Sequence, residues 1–283
     1  MTTRRGFVAG LAALAAVPAR AQPAPQSTPE IRFTVTGSME QGSLALGAAP
    51  PGSIVALDGR PLQATAEGRF TFGFAYNQTT PSLVTVRYPD GRGDSRSFTP
   101  TVREYDIQRV DGLPQATVTP DPEETARINR EAEEIFLARL NQTGGSDFLA
   151  GFDWPAPGIL SGIFGSQRIN NGVPGSPHYG VDMAAPTGTP IRAPADGIVS
   201  VTGDHFLNGG FTMLDHGQGV STSYLHQSQR FVGQGDAVRR GQVIGHIGQT
   251  GRATGPHLHW AMNWFQVRLD PSRTTRTPAP QPL

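Results

Sequence analysis

Pro256-His257-Leu258-His259-Trp260, followed by Met262 and Trp264, is the stretch from which the fold can be read. Trp260, Met262 and Trp264 alternate with other residues, so a strand runs on from the two histidines. In a strand, residues i and i+2 point to the same face. Both imidazoles then project into one site, roughly 6–7 Å apart along the strand. At that spacing both could coordinate one metal, or one could bind metal while the other faces substrate.

A second pair lies upstream, in Pro177-His178-Tyr179-Gly180-Val181-Asp182-Met183. The spacing of His178 and Asp182 would suit a helix, but Pro177, Gly180 and Pro186 argue for a turn leading into a strand. Two nitrogens and one carboxylate oxygen make a common catalytic zinc set with a fourth position for water. Each pair alone is commonplace. Together with His226, in Thr222-Ser223-Tyr224-Leu225-His226, they form a combination far less expected by chance.

The rest of the chain frames this cluster. Its 283 residues suggest about two domains. Formal charge is zero, which gives no electrostatic case for nucleic acid or an anionic membrane. With 35 glycines and 25 prolines and only 16% charged residues, the composition suits short strands and tight turns. There is no cysteine, so disulfides, thiolate metal sites and cysteine nucleophiles are excluded. All 23 basic residues are arginine, which excludes Ser–Lys and Schiff-base chemistry.

Residues 1–21 read as a signal peptide. Thr3-Arg4-Arg5-Gly6-Phe7 precedes an apolar run to Val17, and Ala19-Arg20-Ala21 offers a small-residue cleavage site. The Arg-Arg-x-Phe pattern resembles a twin-arginine signal, with a Sec signal as the alternative. Either route places the mature chain, from near Gln22, in the periplasm or cell envelope. No later stretch suits a transmembrane anchor.

The expected fold is mostly β. Residues 22–30 form a flexible leader. Residues 31–106 make a small β-sandwich of about seven strands, with Asp58-Gly59, Glu67-Gly68 and Asp90-Gly91 as turns. That region contains no histidine, so its default role is docking or spacing, including contact with envelope proteins. A linker helix over 121–142 is capped by Asp121, with Pro122 and Glu124 in place for a capping box. Ile128, Ala132, Ile135, Phe136 and Leu140 share one of its faces, and the helix is expected to pack between the two domains. Residues 152–272 hold all seven histidines and form the second domain. Residues 273–283 read as a flexible tail.

The stretch from Trp154 to Asp270 resembles the lysostaphin-type (LytM-like) zinc metallo-endopeptidases. The matching features run in order: Ile163-Phe164-Gly165, His178-Tyr179-Gly180-Val181-Asp182, Pro190 to Gly197, Asp215-His216-Gly217, Tyr224-Leu225-His226, and Gly248 to Trp260. The resemblance implies an antiparallel β peptidase domain, one zinc ion on His178, Asp182 and His259, and catalytic roles for His226 and His257. It implies hydrolysis of peptidoglycan stem-peptide cross-links, of the peptidoglycan DD-endopeptidase kind. Gln227 stands where many relatives carry leucine, a change for packing rather than chemistry.

The other histidines are expected to be structural: His216 at a strand-end turn, His205 in a surface loop, His246 in a strand. Phe231 to Gly251 also looks like the hairpins of biotinyl or lipoyl carriers, but those attach their cofactor to a lysine and this chain has none. Two other functions compete with the enzyme. One is a LytM-like regulator that activates another wall hydrolase, a role associated with lost metal ligands. The other is a structural envelope module bound through the β domain.

Overall fold

Short strands and glycine-rich turns build two unequal β structures joined by one core. The computed structural model describes Thr2 and residues 32–280. The expected signal peptide and leader therefore lie outside the described residues, apart from Thr2.

In the N-terminal part, strands Thr34–Thr36, Leu44–Ala48 and Arg69–Gly73 form a three-stranded antiparallel sheet. Strands Arg60–Leu62, Ile54–Leu57, Ser82–Arg87 and Gly93–Phe98 form a four-stranded antiparallel one. Alternation decides what these sheets bury: Phe70, Phe72 and Phe74 fall on one face and all are fully buried. Asp58-Gly59 closes the Ile54–Leu62 hairpin with φ of 49° and 79°, the doubly left-handed turn that Asp-Gly favours.

The C-terminal part is a ten-stranded sheet. Its main path runs Ala237–Val238, Gly197–His205, Gly209–Gly217, Val220–Arg230, His257–Trp264, Val181–Ala184 and Ile159–Gly162. All of its pairings are antiparallel. A fourth, small sheet joins Ile107–Val110, in parallel, to Gln167–Asn170, which pairs with Val173–Pro177.

The two parts share their core. Phe164 packs near Tyr76 and Tyr105, and Arg103 donates to the buried Asp270 carboxylate at 2.9 Å. The Asp270 N–H donates to the Gly42 carbonyl at 2.7 Å.

The helix spans Pro122–Ala138, ending four residues before the expected limit. Asp121 accepts from the Glu124 N–H while Glu124 accepts from the Asp121 N–H, so both arms of the box are made. Its contacts differ from the expected packing between domains. Ile135 sits on Val201, Phe211 and Met213 of the large sheet, and Glu131 accepts from the Phe206 N–H. Phe136 and Leu140 are about half exposed, at 48% each, and only Ile135 of the expected face is buried. The helix rests on a sheet it covers incompletely, so a one-sided apolar stripe reads wider than the face it buries.

The expected tail is also partly anchored. Thr275 bridges Phe152, Arg276 pairs with Asp153, and the Trp154 indole donates to the Thr277 carbonyl. Hydrogen bonds and an ion pair to the Phe152–Trp154 segment fix this part of the stretch read as a flexible tail.

Candidate metal centre

The His257–Trp264 strand owes its orientation to its apolar face. Leu258, Trp260, Met262 and Trp264 are all buried in the core, with Trp260 edge-on to Trp154. His257, His259, Ala261 and Asn263 must therefore face the other way. Register then sets the neighbours: Asp182 lies directly across from His259 on one side, and Leu225 on the other.

Three donor atoms converge there. His178 Nε2 lies 3.0 Å from Asp182 Oδ1 and 2.9 Å from His259 Nδ1. His259 Nδ1 lies 2.8 Å from the same Asp182 oxygen. The His178 Nδ1–H donates to the Ile163 carbonyl at 2.9 Å, which leaves Nε2 with its lone pair toward the cluster. Among the described residues, these three form the group whose ligand atoms could hold one metal ion.

Two glycines make room. A Cβ at Gly180 would lie 2.6 Å from His259 Nε2, and one at Gly162 would run into the Asp182 carboxylate. Arg168 donates to Asp182 Oδ2 at 2.6 Å, so one carboxylate oxygen is tied back while the other faces the imidazoles. Sequence reasoning missed Arg168. It belongs to the Gln167–Asn170 strand, and nothing in its local pattern marks it.

The electrostatics suit a cation. Burial alone would raise the Asp182 carboxyl, but its hydrogen bonding with His178 and His259 outweighs that and holds it well below the usual range. Burial lowers His259 to about 4 despite the bond to Asp182, so near neutral pH it offers a lone pair. A buried carboxylate beside facing imidazole lone pairs calls for a positive charge between them. The donor set, two nitrogens and one oxygen, fits zinc.

Two more imidazoles border this cluster. The rings of His226 and His257 are 4.7 Å apart between centroids. His226 Nδ1–H donates to the Thr250 carbonyl at 2.7 Å and His257 Nδ1–H to the Gly255 carbonyl at 2.8 Å. In each ring Nε2 is left to act. Burial, reinforced by His257 and His259, lowers His226 to about 3. His226 also has φ of 64°, next to a register shift in its strand. Irregularities of this kind re-aim a side chain.

All five residues singled out in the sequence thus meet at one place. They border a groove of about 770 Å³. One wall of the groove is the helix, through Ile128, Ala132 and Ile135, and another is the Ile107–Val110 strand.

The remaining histidines lie apart from the five. His216 is fully buried, donating through Nδ1 to the Asp196 carbonyl and meeting Thr222 Oγ1 through Nε2, each at 2.7 Å. His205, expected in a surface loop, is instead the buried last residue of a strand, stacked on Phe211. The adjacent Asn208-Gly209-Gly210 suggested a loop, but Gly209 and Gly210 continue the hairpin. His246 contacts Gln229 and lies edge-on to Phe231. Gln227 is buried and accepts from Thr212 Oγ1 at 2.9 Å, a packing role.

The model for Peptidase family M23 matches residues 176–271. The chain is 46% identical over 87 residues to peptidoglycan DD-endopeptidase ShyA of Vibrio cholerae serotype O1, a match covering 31% of this chain and 20% of that protein. It is 51% identical over 83 residues to DD-carboxypeptidase/endopeptidase Mpg of Neisseria meningitidis serogroup B, covering 29% and 19% respectively. The matched stretches thus span about a fifth of the length of these relatives. A crystal structure from Pseudomonas aeruginosa described as an M23 peptidase is 32% identical, with a TM-score of 0.66 over 84% of this chain and 95% of that one.

Proposed function

The chain belongs to peptidase family M23, and from that membership and the site geometry we propose that it is an exported zinc-dependent endopeptidase cleaving peptide cross-links of peptidoglycan. The observation that carries this reading is the convergence of His178, Asp182 and His259 on one point within a groove that also holds His226 and His257.

His178 Nε2, Asp182 Oδ1 and His259 Nδ1 would hold the ion, with Arg168 and the Ile163 carbonyl fixing two of the ligands in place. Zinc so bound supplies Lewis acidity and lowers the pKa of a bound water toward about 7. The remaining work falls to the chain. The groove binds an extended peptide and orients its scissile carbonyl over the three ligands. His257, with a side chain 17% exposed, is open enough to take a proton from the attacking water and return it to the leaving amine. His226, neutral and held by Thr250, positions its Nε2 beside His257 and the reacting atoms. With its one ring proton given to the Thr250 carbonyl, that Nε2 accepts a hydrogen bond and would orient the attacking water for proton transfer to His257.

The substrate assignment is supported by the wall-peptide activities of the matched relatives. The scissile bond in this reading is the D-alanyl–diaminopimelate cross-link. Export is supported by the twin arginines at Arg4-Arg5 and the apolar run that follows. An intact ligand set favours the enzyme over a non-catalytic regulator. Digestion of purified sacculi with the metal-loaded protein tests the proposal. Cross-linked fragments should collapse to monomers, and a chelator should stop the reaction. Unchanged cross-linking with a folded, metal-bound protein would refute it.

A further inference from the structure

A row of polar residues crosses the sheet beyond the metal ligands. Ser221 pairs with Asn263, and Asn263 with Arg268 on the far side. Asn263 is four residues along the strand from His259, so it shares the same face. Arg139, just past the end of the helix, reaches the groove here as well.

This row is rich in donors and poor in acceptors. Arg139 is 8% exposed and its Nε has no partner. Ser221 Oγ and Asn263 Nδ2 are likewise buried without partners. Among the described residues, neither Arg139 nor Arg268 forms an ion pair; Arg268 only lies over the Tyr179 ring at 5.3 Å. Burial pushes both guanidiniums below their usual range, and Arg139 also feels Arg268. An arginine at a helix end can simply complement the helix dipole. Arg139 makes no side-chain hydrogen bond to the last carbonyls, and that role leaves Arg268 unexplained. Keeping a buried arginine, a half-buried one and further donors together without an acceptor is costly, unless an anion arrives to satisfy them.

We propose that Arg139 and Arg268 form an anion subsite of the substrate groove that receives a free carboxylate of the peptide. This rests on the peptidase reading above. Arg268 is rooted roughly 13 Å along the strand from His259, with its guanidinium over the ring of Tyr179, the neighbour of His178. An extended peptide covers that distance in three to four residues. Guanidiniums suit this task because their planar donors match a carboxylate. The carboxylate would sit on a stem-peptide terminus or on a diamino-diacid residue, and the subsite would set which cross-linked strand enters the groove in which direction.

The test uses the metal-free full chain, so that nothing is hydrolysed. Calorimetry compares a stem peptide bearing free carboxylates with the same peptide carrying carboxamides. The wild type should bind the carboxylate form at least tenfold more tightly, and R139Q and R268Q should each bring that preference below about threefold. Equal binding of the two peptides by the wild type, or a preference retained in both variants, would overturn the subsite. If R139Q fails to melt cooperatively, R268Q alone decides. The sacculus digest is independent of this outcome: a carboxylate preference without digestion would retain the anion site and remove the peptidase reading.

Discussion

His178 Nε2 stands 2.9 Å from His259 Nδ1, two ring nitrogens facing each other across the Asp182 carboxylate. Only a proton or a cation between them makes that arrangement favourable. H178A, D182A and H259A are each expected to lower bound metal from one equivalent to below a tenth, measured by elemental analysis of dialysed protein. Activity should fall with metal content. A variant that keeps a full equivalent would remove that residue from the ligand set.

His226 and His257 should separate metal binding from turnover. Neither contributes an atom to the three-ligand group. H226A and H257A are expected to retain metal while losing about 10²–10⁴-fold in kcat, the usual weight of a positioned acid–base group. Full activity in both would reassign proton transfer elsewhere.

The buried His216 gives a pH dependence. Burial lowers it to about 4 against an ordinary value near 6.5. As pH falls through 6.5 the unfolded chain takes up a proton that the folded one does not. Stability is therefore lost between about pH 6.5 and 4, by about 3 kcal/mol in total. His259 and His226 add to the same slope in the metal-free protein. Denaturant titrations of chelated wild type and H216Q should differ by up to one proton in slope over that window. Identical slopes would mean that His216 titrates normally.

Arg103 and Asp270 tie the N-terminal sandwich to the peptidase sheet, with side chains only 16% and 3% exposed. Removing the arginine leaves a buried carboxylate served mainly by Ser272. R103M should cost about 3 kcal/mol, read as a lowered unfolding midpoint. A double variant, R103M with D270L, should recover part of that loss. No change in R103M would show that the pair contributes nothing to the joint.

The convergence of His178, Asp182 and His259 was legible because strand periodicity and motif order are local. The His257–His259 alternation fixes a common face, and the glycines and prolines around His178 exclude a helix. Asp58-Gly59 and the Asp121 capping box were legible for the same reason. Arg168, Arg139 and Arg268 were not, since each reaches the groove from a different element and their meeting depends on tertiary register. The helix contacts were misjudged because an apolar stripe gives a face but not the partner. Anchoring of residues 274–277 depends on hydrogen bonds to the Phe152–Trp154 segment, over a hundred positions away, which composition cannot reveal.

The most direct test of the central claim follows cleavage of a purified cross-linked muropeptide dimer while metal-free protein is titrated with zinc. The account predicts no cleavage without metal, activity rising linearly to one equivalent, and two monomers as products. A dimer left intact at one bound equivalent, or cleaved equally well in the presence of chelator, would contradict it.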